Sequence, residues 1–288
     1  MRWTPSGRSA DLEDDRDEGS AAGFRLRGPH LGIGGFLLLL VLSFVFKRDF
    51  FSLLGVTGVG SPSATTATSQ PAARGADDDR QVQFVSFVLD DVQKTWEQAF
   101  AQGNRQYPHA KLVLFSEVTR SGCGFAQSAS GPFYCPTDHK VYIDLAFYNE
   151  LKTRFGAPGE FAQAYVIAHE VGHHVQNLLG IDERVQRLKA SAPSRANELS
   201  VRLELQADCL AGVWGHSTDQ RKILEQGDIE SGLAAAAAVG DDRLQRQAGG
   251  GVHPETWTHG SSAQRVNWFR RGFSSGRIDA CDTFSAAI

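Results

Sequence analysis

The segment His169-Glu-Val-Gly-His173 constrains this chain more than any other part of its sequence. In an α-helix, residues four positions apart lie on one face about one turn apart, so that His169 and His173 can reach the same cation. The flanking apolar residues have helical spacing, and the pattern predicts a helix over residues 160–179. Two imidazoles at this spacing are typical of a zinc site, in which Glu170 would act as general base toward a metal-activated water.

A catalytic zinc site needs a third protein ligand and an open position for water. The next predicted helix, 195–214, carries Glu204 and Asp208 four positions apart within an apolar pattern. We expect Glu204 to be the third ligand and Asp208 to accept a hydrogen bond from a ligand imidazole. The alternatives are Glu198 as the third ligand, or a solvated acidic face with no role in metal binding.

These motifs resemble those of the gluzincin metallopeptidases, in which a glutamate from a second helix completes a His₂Glu zinc site. More narrowly, the chain resembles the bacterial family described as putative neutral zinc metallopeptidases, over nearly all of residues 81–288 and at its N-terminal apolar run. The resemblance implies one bound Zn²⁺ ion, a peptide or protein substrate and a zincin-like domain. The segments that carry it are residues 131–136, 141–144, 161–176, 205–214 and 259–262.

The resemblance also implies a role for His259, which precedes a capping box at the start of the last predicted helix, 262–271. Gluzincins often use a downstream histidine to stabilise the oxyanion of the tetrahedral intermediate, and we expect His259 to act in this way. The alternative is a turn histidine near a helix start that takes no part in the chemistry.

The remaining pattern of the predicted domain, residues 81–288, has a short strand-rich part followed by helices. Residues 111–119 and 140–144 have the composition of strands, and a short helix over 145–154 follows them. A further long helix is predicted at 219–239. The fold class that this order predicts is α+β, mostly helical with a small β-sheet.

The region before this domain predicts a membrane anchor. Residues 28–46 form an uncharged run of 19 residues, which as a helix covers the hydrocarbon thickness, and we expect one transmembrane helix there. The polar residues 1–27 predict disorder, and residues 47–80 predict a flexible linker. A buried core helix and a cleaved signal peptide are the alternatives for the apolar run.

Charge and cysteine usage predict on which side of the cell membrane the domain lies. Five arginines precede the apolar run and two basic residues follow it directly, which favours a single-pass protein with a cytoplasmic N-terminus and an extracytoplasmic catalytic domain. The four cysteines allow three disulfide pairings, and we favour Cys123–Cys135 with Cys209–Cys281. Four buried free thiols and a cytoplasmic catalytic domain are the alternatives.

Composition and missing motifs exclude other classes of function. The net charge is −4, from 29 basic and 33 acidic residues, and this argues against a nucleic-acid-binding protein. The sequence has neither a phosphate-binding loop ending in Lys-Ser/Thr nor a Gly-x-Ser-x-Gly elbow. We therefore predict a membrane-anchored zinc peptidase, with a catalytically weak, zinc-containing scaffold or partner-binding domain as the alternative. Substrate specificity and oligomeric state are not encoded in these motifs.

Overall fold

Helices packed on a small mixed sheet form the domain, and the computed structural model describes residues 1–17, 76–128, 131–249 and 251–288. All of these residues belong to one compact unit. In chain order, the strands and helices of the described residues are β1 (Leu12–Asp14), α1 (Ala76–Gln102), β2 (Lys111–Phe115), β3 (Val118–Ser121), β4 (Gly124–Gln127), β5 (Phe133–Cys135), β6 (Lys140–Asp144), α2 (Ala146–Thr153), α3 (Glu160–Leu178), α4 (Ile181–Ser191), α5 (Ala196–Gln220), α6 (Asp228–Ala238), α7 (Asp241–Gln247) and α8 (Ser262–Ser275).

The main sheet has the strand order β1–β2–β6–β5. β1, β2 and β6 are parallel, and β5 pairs with β6 in the antiparallel direction. Successive side chains of a strand point to opposite faces of the sheet. Leu112 and Ile143 accordingly join the main core with the helices, whereas Val113 and Tyr142 belong to a smaller cluster on the other face.

Glycines let three helices approach closely around the predicted site. A Cβ atom at Gly172 of α3 would lie 3.1 Å from the backbone oxygen of Ala207 in α5. A Cβ atom at Gly272 of α8 would overlap the backbone oxygen of Cys209 in α5. Because these glycines have no Cβ atom, α5 can pack closely between α3 and α8, and polar residues of all three helices can meet.

The predicted fold class is confirmed as mixed and mostly helical, and β6 and α3 lie where the sequence predicts them. The helix predicted at 219–239 is shorter, because α5 continues to Gln220 and α6 begins only at Asp228. Between them the backbone turns at Lys222, which has a φ of 58°. Helix α4 is an addition, since Gly180 has a φ of 71° and redirects the chain into a new helix.

Residues 1–17 are folded, so the prediction of disorder over 1–27 is wrong for this part. β1 pairs with β2 in parallel register, with Leu12 opposite Leu112. An ion pair also holds the strand, because its middle residue Glu13 lies 2.5 Å from the ammonium of Lys140. A charged three-residue strand carries no apolar alternation, and for this reason the sequence pattern does not reveal it.

The predicted linker 47–80 is wrong for residues 76–80, which form the first turns of α1. The rest of the linker and the predicted anchor 28–46 lie outside the described residues. Among the helices that the structure describes, none combines the length and the hydropathy needed to span a bilayer.

Candidate metal centre

Three predicted ligands from α3 and α5 meet at one point. The rings of His169 and His173 are perpendicular, with 4.8 Å between their centroids. Glu204 reaches both, because one carboxylate oxygen lies 3.2 Å from Nε2 of His169 and the other 3.5 Å from Nε2 of His173. In the described part of the chain, this is the only set of three or more histidine, cysteine or acidic residues whose ligand atoms converge within 4.8 Å.

The geometry of this donor set fits a zinc ion. Two ligands bound to tetrahedral zinc at about 2.0–2.1 Å lie roughly 3.3 Å apart, which agrees with the two nitrogen–oxygen separations of Glu204. The other ring nitrogen, Nδ1, is held by Asp208 in His169 and by Gln176 in His173. Each imidazole therefore directs Nε2 toward the shared point.

Asp208 is the fully buried group behind His169. It accepts a hydrogen bond of 2.9 Å from Nδ1 of His169 and a further hydrogen bond from the hydroxyl of Tyr165. Arg265 of α8, itself only 3 % exposed, donates to both carboxylate oxygens of Asp208 at 2.8 and 2.9 Å. The position of the His169 ring is thus fixed by residues from three helices.

Burial and charge act in opposite directions on the ionisable groups of the site. Burial alone would lower the pKa of His169, but the negative charge of Asp208 and the hydrogen bonds to Asp208 and Glu204 outweigh it and raise the pKa to about 10. Burial opposes ionisation of Glu204 as well, yet the charges of His173 and His169 hold the pKa of its carboxyl group below the usual range. A cation that binds here must therefore displace a proton from His169.

Glu170 is next to the first histidine on α3 and lines the same cleft. Its side chain is largely buried, with 7 % exposed. Among the residues that the structure describes, no group hydrogen-bonds to its carboxylate. A carboxylate without a protein partner beside the metal ligands can accept a proton from a water molecule in the cleft.

His259 lines the cleft from the loop before α8. Its Nδ1 lies 3.2 Å from Asp241, and the same aspartate accepts the backbone N–H groups of Thr258, His259 and Gly260. The hydrogen bond with Asp241 raises the pKa of His259, although burial works against it. Within the described structure, Nε2 of His259 has no hydrogen-bond partner, and it can therefore donate to a substrate oxygen.

The cleft around these groups has a volume of about 1110 Å³. Its lining includes four aromatic side chains, Phe133 and Tyr134 of the edge strand β5, together with Phe147 and Phe155. The cysteines are paired as favoured from the sequence. One disulfide, Cys123–Cys135, ties the end of β5 to the β3–β4 hairpin, and the other, Cys209–Cys281, joins α5 to the C-terminal segment.

The structure brings together His169, Glu170, His173, Glu204 and Asp208, and it places His259 at the rim of the same cleft. Glu198, the rival third ligand, lies elsewhere on α5 and pairs with Arg195 and Arg202. Sequence reasoning missed three residues of the site. These are Tyr165, Gln176 and Arg265.

Fold and site together define an α+β domain in which two histidines and a glutamate converge in a cleft and could hold a metal ion. A family model described as "Putative neutral zinc metallopeptidase" matches residues 1–284, and the chain belongs to this peptidase family. It is 46 % identical over the full length of both chains to "Uncharacterized protein YpfJ" of Escherichia coli strain K12. It is 47 % identical over 74 % of both chains to "Uncharacterized protein Rv2575" of Mycobacterium tuberculosis strain H37Rv. No solved structure matches the chain significantly.

Proposed function

We propose that this protein is a zinc-dependent peptidase that hydrolyses peptide bonds, with His169, His173 and Glu204 as the ligands of one Zn²⁺ ion. The observation that carries the proposal is the convergence of these three donors beside a carboxylate, Glu170, that has no protein partner in the described structure. A structural zinc site has no use for such a group. This argues against the scaffold alternative.

When bound, the zinc ion would lower the pKa of a water molecule and polarise the scissile carbonyl. The residues of the chain perform the remaining steps. Glu170 accepts the proton of the attacking water and passes it to the leaving amine. His259, held at Nδ1 by Asp241, donates from Nε2 to the oxyanion that forms on the carbonyl.

Substitution of the proposed base tests this function. We expect Glu170→Gln to lower kcat for a generic peptide substrate by about 10²–10⁴-fold, which is the usual contribution of a general base. The zinc content per chain should stay unchanged, because the residue is not a ligand. Glu183→Gln is the matched control, since this glutamate lies on the exposed surface of α4 with a 74 % exposed side chain.

Two results would contradict the proposal. Full activity of zinc-loaded Glu170→Gln would refute the assigned base. A zinc-loaded wild-type protein that cleaves nothing in a broad peptide library would favour the scaffold instead.

We further propose that residues 28–46 attach the protein to the cell membrane and that the catalytic domain is extracytoplasmic. The uncharged run of the sequence supports attachment. The disulfides Cys123–Cys135 and Cys209–Cys281 support an oxidising compartment, because such bonds persist there and are rare in the cytosol.

A further inference from the structure

Two buried glutamines connect His173 to the C-terminal segment. Oε1 of Gln176 lies 2.8 Å from Nδ1 of His173, and its amide nitrogen donates to the backbone oxygen of Leu203 at 2.7 Å and to Oε1 of Gln206 at 3.1 Å. The amide nitrogen of Gln206 in turn donates to the backbone oxygen of Cys281 at 2.9 Å. The side chains of both glutamines are almost inaccessible to solvent.

The backbone carbonyls of Leu203 and Cys281 determine which way the two glutamine amides are oriented. A carbonyl oxygen only accepts, so Gln206 must direct its amide nitrogen to Cys281 and its oxygen to Gln176. Gln176 must then direct its amide nitrogen to Leu203 and Gln206, which leaves its own oxygen facing His173. Nδ1 of His173 is therefore the nitrogen that carries the proton, and the lone pair is on Nε2.

We propose that Gln176 and Gln206 are positioning residues that hold His173 in the tautomer required for metal binding. This inference rests on the zinc site of the proposed function but not on peptidase activity. The carbonyl of Cys281 that accepts from Gln206 is fixed relative to α5, because Cys281 forms a disulfide with Cys209 of that helix. His169 is oriented by an anionic carboxylate, whereas the partner of His173 is a neutral amide.

Zinc affinity and histidine NMR test the proposal. We expect Gln176→Leu and Gln206→Leu to weaken zinc binding by about 10–100-fold, as is usual when the partner of a metal-bound histidine is lost. Gln163→Leu on the same helix α3 is the control, because its partner Gln81 lies away from the site. In metal-free wild-type protein at pH 8, the ¹⁵N shifts of His173 should show the proton on Nδ1, and Gln176→Leu should mix the two tautomers.

The outcomes separate this proposal from the proposed function. Wild-type zinc affinity in both leucine variants, or a wild-type His173 that carries its proton on Nε2, would overturn the positioning role even in an active peptidase. A zinc-loaded protein without peptidase activity would overturn the proposed function alone. The NMR measurement on wild-type protein needs no variant to fold.

A second, independent inference concerns the N-terminal residues. β1 is hydrogen-bonded to β2 inside the main sheet, and Arg16, which is 8 % exposed, bridges Asp14 at 2.7 Å and Asp78 of α1 at 2.6 Å. Gln93 of α1 also donates to Asp11 at 3.0 Å. Residues 1–17 are thus a structural part of the domain formed by residues 76–288.

We infer that residues 1–17 and 76–288 lie in the same compartment. Strands that share a sheet must be within hydrogen-bonding distance of each other, and no bilayer fits between them. A single membrane crossing between the two parts would separate β1 from β2. The single-pass arrangement expected from the arginines, with a cytoplasmic N-terminus and an exported domain, is incompatible with this pairing.

Cysteine labelling of the full-length chain in intact cells tests the inference. Ser6→Cys in the N-terminal segment and Ser194→Cys between α4 and α5 each introduce a thiol at an exposed position. We expect a membrane-impermeant maleimide to label both variants or neither before lysis, and both after lysis. Labelling of only one before lysis would overturn the inference.

A charge swap then tests whether β1 is paired with β2 in protein extracted from the membrane fraction. Glu13→Lys should lower the unfolding temperature of the detergent-extracted chain through repulsion from Lys140, and the added change Lys140→Glu should restore it. If neither substitution alters the unfolding temperature, β1 is not paired in that state and the inference fails.

Discussion

Replacement of Arg265 by methionine tests the buried ion pair that supports the metal centre. The guanidinium is 3 % exposed and donates two hydrogen bonds, at 2.8 and 2.9 Å, to Asp208, which is fully buried. Methionine keeps the unbranched apolar part of the side chain as far as the position of Nε but removes the charge and both donors. The carboxylate of Asp208 then remains in the protein interior without the guanidinium, next to His169 alone as a cationic partner.

Loss of one partner of a buried ion pair usually costs about 3–5 kcal/mol, because the remaining charge is not compensated. Asp208 keeps its hydrogen bonds with His169 and Tyr165, so we expect the lower end of this range, about 3 kcal/mol. Urea unfolding of the metal-free protein measures the change through the transition midpoint, provided that the m-value is unchanged.

Two further variants decide whether charge is the cause. Asp208→Asn combined with Arg265→Met removes both charges and should be less destabilising than the sum of the single changes by more than about 0.5 kcal/mol. Arg277→Met removes an exposed ion pair with Asp279 and should leave the midpoint unchanged. A loss below about 1 kcal/mol for Arg265→Met, or strict additivity in the double variant, would refute this explanation.

Three other changes give distinct expected results. Gly272→Ala should destabilise the fold by about 1–3 kcal/mol or more in urea unfolding, because its Cβ would overlap the backbone of Cys209. His259→Gln should lower kcat by about 10²–10³-fold at unchanged zinc content, since a donor to the oxyanion is lost. Hydrogen bonds to Asp11 and Glu97 raise the pKa of His109, although partial desolvation of this exposed side chain lowers it, so its stabilising effect is complete below its unfolded pKa and is lost as pH rises through the folded value. His109→Gln should remove this part of the pH dependence of unfolding.

Each of these predictions has an outcome that would contradict it, and the glycine substitution also has a matched control. Gly103→Ala meets only an ordinary 3.4 Å contact and should be tolerated, and equal effects at both glycines would contradict the close-packing argument. If His259→Gln changes KM but not kcat, the residue binds substrate and does not stabilise the transition state. Identical pH profiles of wild-type protein and His109→Gln would show that the ion pairs with Asp11 and Glu97 do not stabilise the fold.

Local spacing was sufficient to predict which side chains converge at the candidate site. His169 and His173 on one helix, and Glu204 and Asp208 on the next, are each four positions apart, and this period is visible in sequence. The long apolar helix α3 and the strand β6 were also predictable from the spacing of their apolar residues. β1 was missed because it is short and charged, and because its stability comes from ion pairs with distant residues.

The residues that orient the ligands could not be found in the same way, because their partners depend on how helices cross. Arg265 lies 57 positions after Asp208, and its own segment has no unusual spacing. The close approach of α8 to α5, which Gly212 and Gly272 both permit, brings the guanidinium to the carboxylate. The two histidines repeat with the period of one helix and the two carboxylates with that of the next, whereas Arg265 comes from a third helix and Gln176 is held in place by contacts with α5. For this reason the convergence of the proposed ligands was predictable, but the network of residues around them was not.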